Sequence, residues 1–107
     1  MGKTPVKSVQ TREYDALIDL LKRTREEAQI SQRKLSKLLN QSSHYMANIE
    51  KGIRRLDIVE FLAIAEALRR DPQQLFEQYL RELKRRVEVP TLAPHAYDTG
   101  KVADILA

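Results

Sequence analysis

Residues 30–52 read I-S-Q-R-K-L-S-K-L-L-N-Q-S-S-H-Y-M-A-N-I-E-K-G, and the reading of this stretch decides the fold. Two short apolar patterns flank a polar break. Ser31 suits the N-cap of a helix whose inward face is Leu35, Leu38 and Leu39. Asn40 follows the last of these. After glycine, Asn is among the residues that best tolerate a left-handed backbone, so it predicts the end of that helix. Ser42 predicts the cap of a second helix over residues 43–51, which Gly52 closes. The expected unit is two short helices joined by a tight turn.

Working outward, the same rules place three more helices. Upstream, Thr11 caps a segment in which Tyr14, Leu17, Ile18, Leu21, Arg25 and Ala28 recur at three- and four-residue steps, with Gln29 and Ile30 as its exit. Downstream, Arg54 and Arg55 sit in a basic connector. Asp57 with Glu60 three residues on resembles a capping box, and Ile58, Phe61, Leu62, Ala65 and Leu68 give the expected buried stripe of a fourth helix. Asp71-Pro72 opens a fifth, running through Leu75, Phe76, Tyr79, Leu80 and Leu83 to Arg86. Beyond it Pro90, Pro94 and Gly100 break the pattern, and the apolar patch at 102–106 suits either a short helix or a strand. The expected fold is all-α. Five helices fill residues 12–86, after a basic N-terminal arm (1–11) and before a C-terminal extension (87–107).

Composition bounds the chemistry. A chain of 107 residues suffices for one domain with tails. Its hydrophobic share of 42% against 6% aromatic means aliphatic side chains must build the core. There is no cysteine, which excludes disulfides and thiolate metal sites and fits a reducing cytosol. No run is long and apolar enough for a membrane span, and no secretory leader pattern follows the N-terminus. The expected location is therefore cytoplasmic, with no membrane partner, and Asn40-Gln41-Ser42 reads as a turn and not a glycan site. The two histidines, His44 and His95, form no metal or catalytic spacing, and no Gly-rich loop suggests a nucleotide. The sequence predicts no enzyme, no metal and no cofactor. Charge is uneven. Residues 1–56 hold 12 Lys/Arg against 6 Asp/Glu, and residues 57–107 hold 7 against 9. A basic half that contains the two-helix unit suits a polyanionic partner.

A rotation of about 100° per residue places Met46, Ile49 and Glu50 inward on the 43–51 helix and His44, Asn48 and Lys51 outward. Ala47 lies at the edge of the outer face, with Ser43 and Tyr45 on its flanks. Such a helix, rigidly held yet polar outside, suits a DNA major groove. Asn pairs with adenine N6 and N7, and His bonds purine N7, so Ser43, His44 and Asn48 are the expected base contacts. Ser42, Lys22, Lys37, Lys51, Arg54 and Arg55 are the expected backbone contacts. Two roles are open to Tyr45: a phosphate contact through its hydroxyl, or packing on the edge of the preceding helix. Ala47 allows close approach to a neighbour or to a thymine methyl. Glu50 is an odd charge beside DNA. Arg25, set in an apolar stripe where a bare charge is costly, is its expected ion-pair partner.

With these residues in place, 17–77 resembles the helix-turn-helix domain of the phage repressor/Cro (Xre-like) family. The resemblance is carried by Arg25, Ile30-Ser31-Gln32, Leu35, the turn at Asn40, Met46, Ile49-Glu50-Lys51-Gly52 and the run from Phe61 to Leu68. It implies a five-helix fold whose third helix enters the major groove. It also implies that Gln32 contacts the DNA backbone while supporting that helix, that Ser43, His44 and Asn48 read bases, and that Arg25 pairs with Glu50. Gln29 and Asn40 stand where the family usually has Gly, and Gln29 suggests a different exit from the first helix. Ala47 replaces a common Ser and removes one phosphate contact. The resemblance implies a transcription regulator, expected to be a homodimeric repressor on a palindromic operator, with Leu75, Tyr79 and Leu83 as the dimerisation surface and Phe76 and Leu80 in the core. The alternative expectation is an antitoxin whose tail neutralises a toxin while the domain represses its own operon.

Overall fold

The computed structural model describes residues 11–86. The expectations for the arm and for the tail of 87–107, including its dimerisation or toxin-binding role, lie outside the described residues. Five helices follow in order: α1 (Arg12–Glu27), α2 (Gln32–Leu38), α3 (Tyr45–Glu50), α4 (Ile58–Ala67) and α5 (Pro72–Arg86).

Side-chain oxygens start three of them where the sequence predicts. Thr11 Oγ1 accepts from the Tyr14 N–H at 3.1 Å and Ser31 Oγ from Lys34 at 3.0 Å. Asp57 accepts from Glu60 N–H at 2.7 Å while Glu60 accepts from Asp57 N–H at 2.9 Å, a complete capping box.

The helices also end alike. Gln29, Asn40 and Arg69 have φ of 58°, 58° and 60°, and Gly52 has 82°. After each of the four, the chain closes the same pair of bonds: Gln29 to Glu26 O with Ile30 to Arg25 O, Asn40 to Lys37 O with Gln41 to Ser36 O, and so on through Gly52 and Arg69. This left-handed ending satisfies carbonyls that the helix leaves bare. It also corrects one expectation, because Gln29 makes the same exit as Asn40 and not a different one.

Helix α1 is the spine. Arg25 reaches the two-helix unit through Glu50, Tyr14, Ile18 and Leu21 join the main core, and Ala16 packs with Leu83 of α5. Leu20, Leu21, Leu35, Met46, Ile49, Ile64 and Leu75 are fully buried. Two tyrosines tie distant segments to the spine. Tyr14 Oη accepts from the Leu56 N–H at 2.9 Å, and the Tyr79 hydroxyl donates to Glu13 O at 2.9 Å. Arg23 bridges α1 to α5 through Glu82 at 2.6 Å; that hydrogen bond raises its pKa.

Several expected burials are overturned. Leu38 is 49% exposed, because the inward face of α2 is Leu35 and Ser36. On α4 the buried face is Phe61, Ile64 and Ala65, leaving Ile58 and Leu62 exposed at 63% and 43%. This helix is apolar nearly all round, so its own pattern does not choose a face. On α5 the assignment is reversed. Leu75 and Leu83 are buried and Tyr79 packs against the core, while Phe76 and Leu80 are about two-fifths exposed. Leu75, Tyr79 and Leu83 therefore hold α5 to its own chain and are not a dimerisation surface.

A left-handed non-glycine residue costs about 1–2 kcal/mol, part of which glycine returns as unfolded-state entropy. Gln29→Gly is expected to stabilise the domain by about 0.5–1 kcal/mol, read by chemical denaturation. A loss of stability refutes this account of the exit.

Candidate nucleic-acid interface

Helix α3 has only six residues and no side-chain cap of its own. It begins at Tyr45, two positions later than expected, and Ser42 contributes its carbonyl, not its hydroxyl, to the turn that enters it (Tyr45 N–H to Ser42 O, 3.0 Å). The capping is done from α2. Ser36 is fully buried, donates to Gln32 O at 2.8 Å and accepts from the Met46 N–H at 3.0 Å. One hydroxyl thus welds the two helices of the unit. The sequence reading missed it, although a serine on the inward face of an otherwise aliphatic pattern is the available signal.

The base of α3 is held by charge. Arg25 and Glu50 have side chains 9% and 4% exposed. Arg25 Nε donates to Glu50 Oε2 at 2.7 Å and Nη2 to Oε1 at 3.1 Å, while Nη1 donates to Ile30 O at 2.9 Å. Gln32 Nε2 donates to Glu50 Oε1 at 2.7 Å. A two-pronged guanidinium–carboxylate pair is the strongest such geometry, and here one network joins α1, α2, their connecting turn and α3.

With Met46, Ile49 and Tyr45 buried behind it, α3 turns Asn48 and Ala47 toward its open side, half-buried, and Lys51 lies exposed at its end. Ser42, Ser43 and His44 are exposed in the turn before it, with Ser43 Oγ 3.4 Å from His44 Nδ1. Lys37 on α2 and Arg54 and Arg55 in the following loop are exposed, as is Lys22 on α1. Ile53 is 71% exposed between Lys51 and Arg54, a position the sequence reading passed over.

Residues 16–78 match the family model of the helix-turn-helix domain. Among solved structures, an XRE-family like protein from Pseudomonas syringae pv. tomato str. DC3000 is 31% identical, with a TM-score of 0.62 over 65% of this chain and 85% of that one. The chain belongs to the Xre-like helix-turn-helix family. A mutant of the restriction-modification controller protein C.Esp1396I shares the fold at 21% identity and a TM-score of 0.65, over 71% of this chain and 96% of that one. No curated protein matches. As a member of the family the chain is a DNA-binding transcription regulator, and that family is not enzymatic. No helix of the described residues is long and apolar enough to cross a membrane.

A second cluster forms around Tyr45. Its ring is buried, its hydroxyl donates to Glu60 Oε2 at 2.8 Å, and the Arg54 guanidinium lies over the ring 5.0 Å from its centre while pairing with the same Glu60. Tyr45 is thus held from the α4 side, its hydroxyl by Glu60 and its ring by Arg54. Glu60 therefore serves two ends, closing the capping box of α4 and holding the loop after α3. Burial, then the bond to Glu60, pushes the Tyr45 hydroxyl up to about 12.

Because the folded phenol keeps its proton above the ordinary value of 10.0, its contribution is complete below pH 10 and is lost as pH rises toward 12. Stability measured against pH is expected to fall more steeply across that window in the native protein than in Tyr45→Phe; equal slopes contradict the assignment. At the other network, Glu50→Ala strands the Arg25 charge and is expected to cost about 3–5 kcal/mol, whereas Arg25→Met with Glu50→Met recovers most of it. Denaturant unfolding of the three forms checks this, and an inexpensive single substitution would show the pair to be dispensable.

Proposed function

We propose that this regulator is a homodimeric repressor that binds a palindromic operator in double-stranded DNA and reads it with α3. Ser43, His44 and Asn48 contact bases. Ser42, Lys37, Lys51, Arg54 and Arg55 contact the phosphate backbone, with Gln32 both holding Glu50 and approaching the backbone. Tyr45 contributes by fixing Arg54, which carries the phosphate contact in its place. The observation that carries this reading is the arrangement of α3 itself. Its inner side is locked by Ser36 and the Arg25–Glu50–Gln32 network, and its outer side offers short polar groups flanked by exposed cations. A rigid presentation of this kind lowers the ordering cost of binding, and the cations supply the salt-sensitive, sequence-independent part of affinity. Two recognition helices on one palindrome double the few base contacts that one helix offers. A cysteine-free chain supports action in a reducing cytosol. The antitoxin alternative depends on residues 87–107, which lie outside the described residues.

Selection from a random duplex pool is expected to return a palindrome. On it, Asn48→Ala is expected to cost about 1–3 kcal/mol and to relax preference at one base pair, while Lys51→Ala weakens all duplexes alike and lowers the slope of log affinity against log salt by about 0.9. Equal losses on operator and random DNA for Asn48→Ala would remove it from the base-reading set, and no selectable sequence at all would overturn the proposal.

A further inference from the structure

At 71% exposure, Ile53 is the most exposed large hydrophobic among the described residues. The others lie on α2, α4 and α5, and Ile53 stands apart from them in the loop after α3. Its neighbours Lys51, Arg54 and Arg55 are exposed and basic. A single apolar side chain at a surface is ordinary; what marks this one is how firmly it is placed. Gly52, at φ 82°, turns the chain back over the end of α3. The Ile53 N–H then donates to Asn48 O at 2.9 Å and the Arg54 N–H to the same oxygen at 3.1 Å. On the far side the Leu56 N–H is held by Tyr14 Oη, and Arg54 is paired with Glu60 over the Tyr45 ring. Ile53 is thus tied to the backbone of Asn48 on a loop fixed at both ends. The turn is also uncrowded, since a Cβ placed on Gly52 would meet nothing within 4 Å. The Ile53 side chain is β-branched and stiff, so little rotamer freedom is lost when a partner covers it.

We propose that Ile53 is a specificity-determining residue whose side chain packs against the C5 methyl group of a thymine beside the base that Asn48 reads. The inference rests on the DNA reading above and adds to it an apolar contact that its polar readers, Ser43, His44 and Asn48, do not supply. Two arguments favour a duplex over a protein surface as the partner. An apolar protein surface laid over Ile53 would strip water from the cations around it and return no counter-charge. A duplex provides both parts together: phosphates for the cations, and in the major groove the thymine methyl, the apolar group that a base edge presents there. The contact reads thymine by its methyl alone, so cytosine and uracil at that place are disfavoured.

Binding of the full chain to an operator selected from a random duplex pool tests this. Each thymine is replaced in turn by deoxyuridine, which removes the methyl and keeps every hydrogen-bonding group of the base. For the native chain, one such replacement in each half-site is expected to weaken binding about fourfold, the worth of one buried methyl group. In Ile53→Ala that loss is expected to vanish while losses at other thymines persist, and Ile53→Val, which keeps a branched apolar group, is expected to retain it. The position is exposed, so both variants are expected to unfold at the native denaturant midpoint. The same deoxyuridine profile in the native chain and Ile53→Ala overturns the inference. So does an equal loss for Ile53→Ala on operator and random duplex, which would move the contact to the sugar-phosphate backbone. An unchanged affinity of Ile53→Ala for every duplex also overturns it and leaves the side chain to a protein partner. In each of these cases Asn48→Ala still loses its preference at one base pair, and the DNA reading stands. A native chain that selects no sequence refutes both.

Discussion

A buried carboxylate, Glu50, sets the pose of α3. Six residues make less than two turns of helix, far too little to hold a direction alone. The direction comes from three neighbours that meet on one carboxyl group. Arg25 supplies two prongs, Gln32 a third donor, and the Ile30 carbonyl steadies the guanidinium from behind. Desolvating both charges is expensive, and the pair is supported because each group also bonds a neighbour, Arg25 the Ile30 carbonyl and Glu50 the Gln32 amide. Among the described residues no buried side-chain polar atom is left unsatisfied. A charge that would repel phosphate is thus turned inward, paired, and used as an anchor.

The rest of the unit is built from short pieces whose ends are specified more strongly than their middles. Ser36 closes the entrance to α3 from the neighbouring helix, Tyr14 pins the loop after α3 to α1, and Tyr45 with Glu60 pins Arg54. Four left-handed exits turn the chain sharply, and three of them use side chains that pay a backbone penalty. Tight turns keep α1, α2 and α3 within reach of one ion pair, which offsets that penalty. Local strain and tertiary fixation are here two sides of the same device.

The described surface divides into two kinds. Around α3 it is polar, cationic and backed by a rigid network, which suits a hydrated, charged ligand. Across α4 and α5 it is apolar and open, with Ile58, Val59, Leu62, Phe76 and Leu80 exposed. The two kinds of surface are carried by different helices but share Glu60, whose carboxylate starts α4 and also restrains Arg54 at the edge of the polar surface around α3.

Local chemistry was legible from the residues alone. Thr11, Ser31 and the Asp57–Glu60 pair announce helix starts, Asn40 and Gly52 announce ends, and a lone Arg25 in an apolar stripe announces a buried partner. These are short-range effects, decided within one turn of helix or by the cost of one unpaired charge. Faces were less legible. Helix α4 is apolar on every side, and on α5 the pairs Leu75/Leu83 and Phe76/Leu80 are equally hydrophobic at neighbouring angles, so periodicity admits both rotations. Only packing against α1 chose between them, because Ala16 and the Glu13 carbonyl receive Leu83 and Tyr79 and leave Phe76 and Leu80 outside. Nor did Ser36 reveal its partner, since its bond to Met46 joins residues ten apart that only the turn brings together. The sequence by itself determined the elements, their ends and the ion pair, through local capping and the penalty on a buried charge. Tertiary structure alone decided which apolar faces are covered, because that depends on shape complementarity between helices, which no single helix encodes.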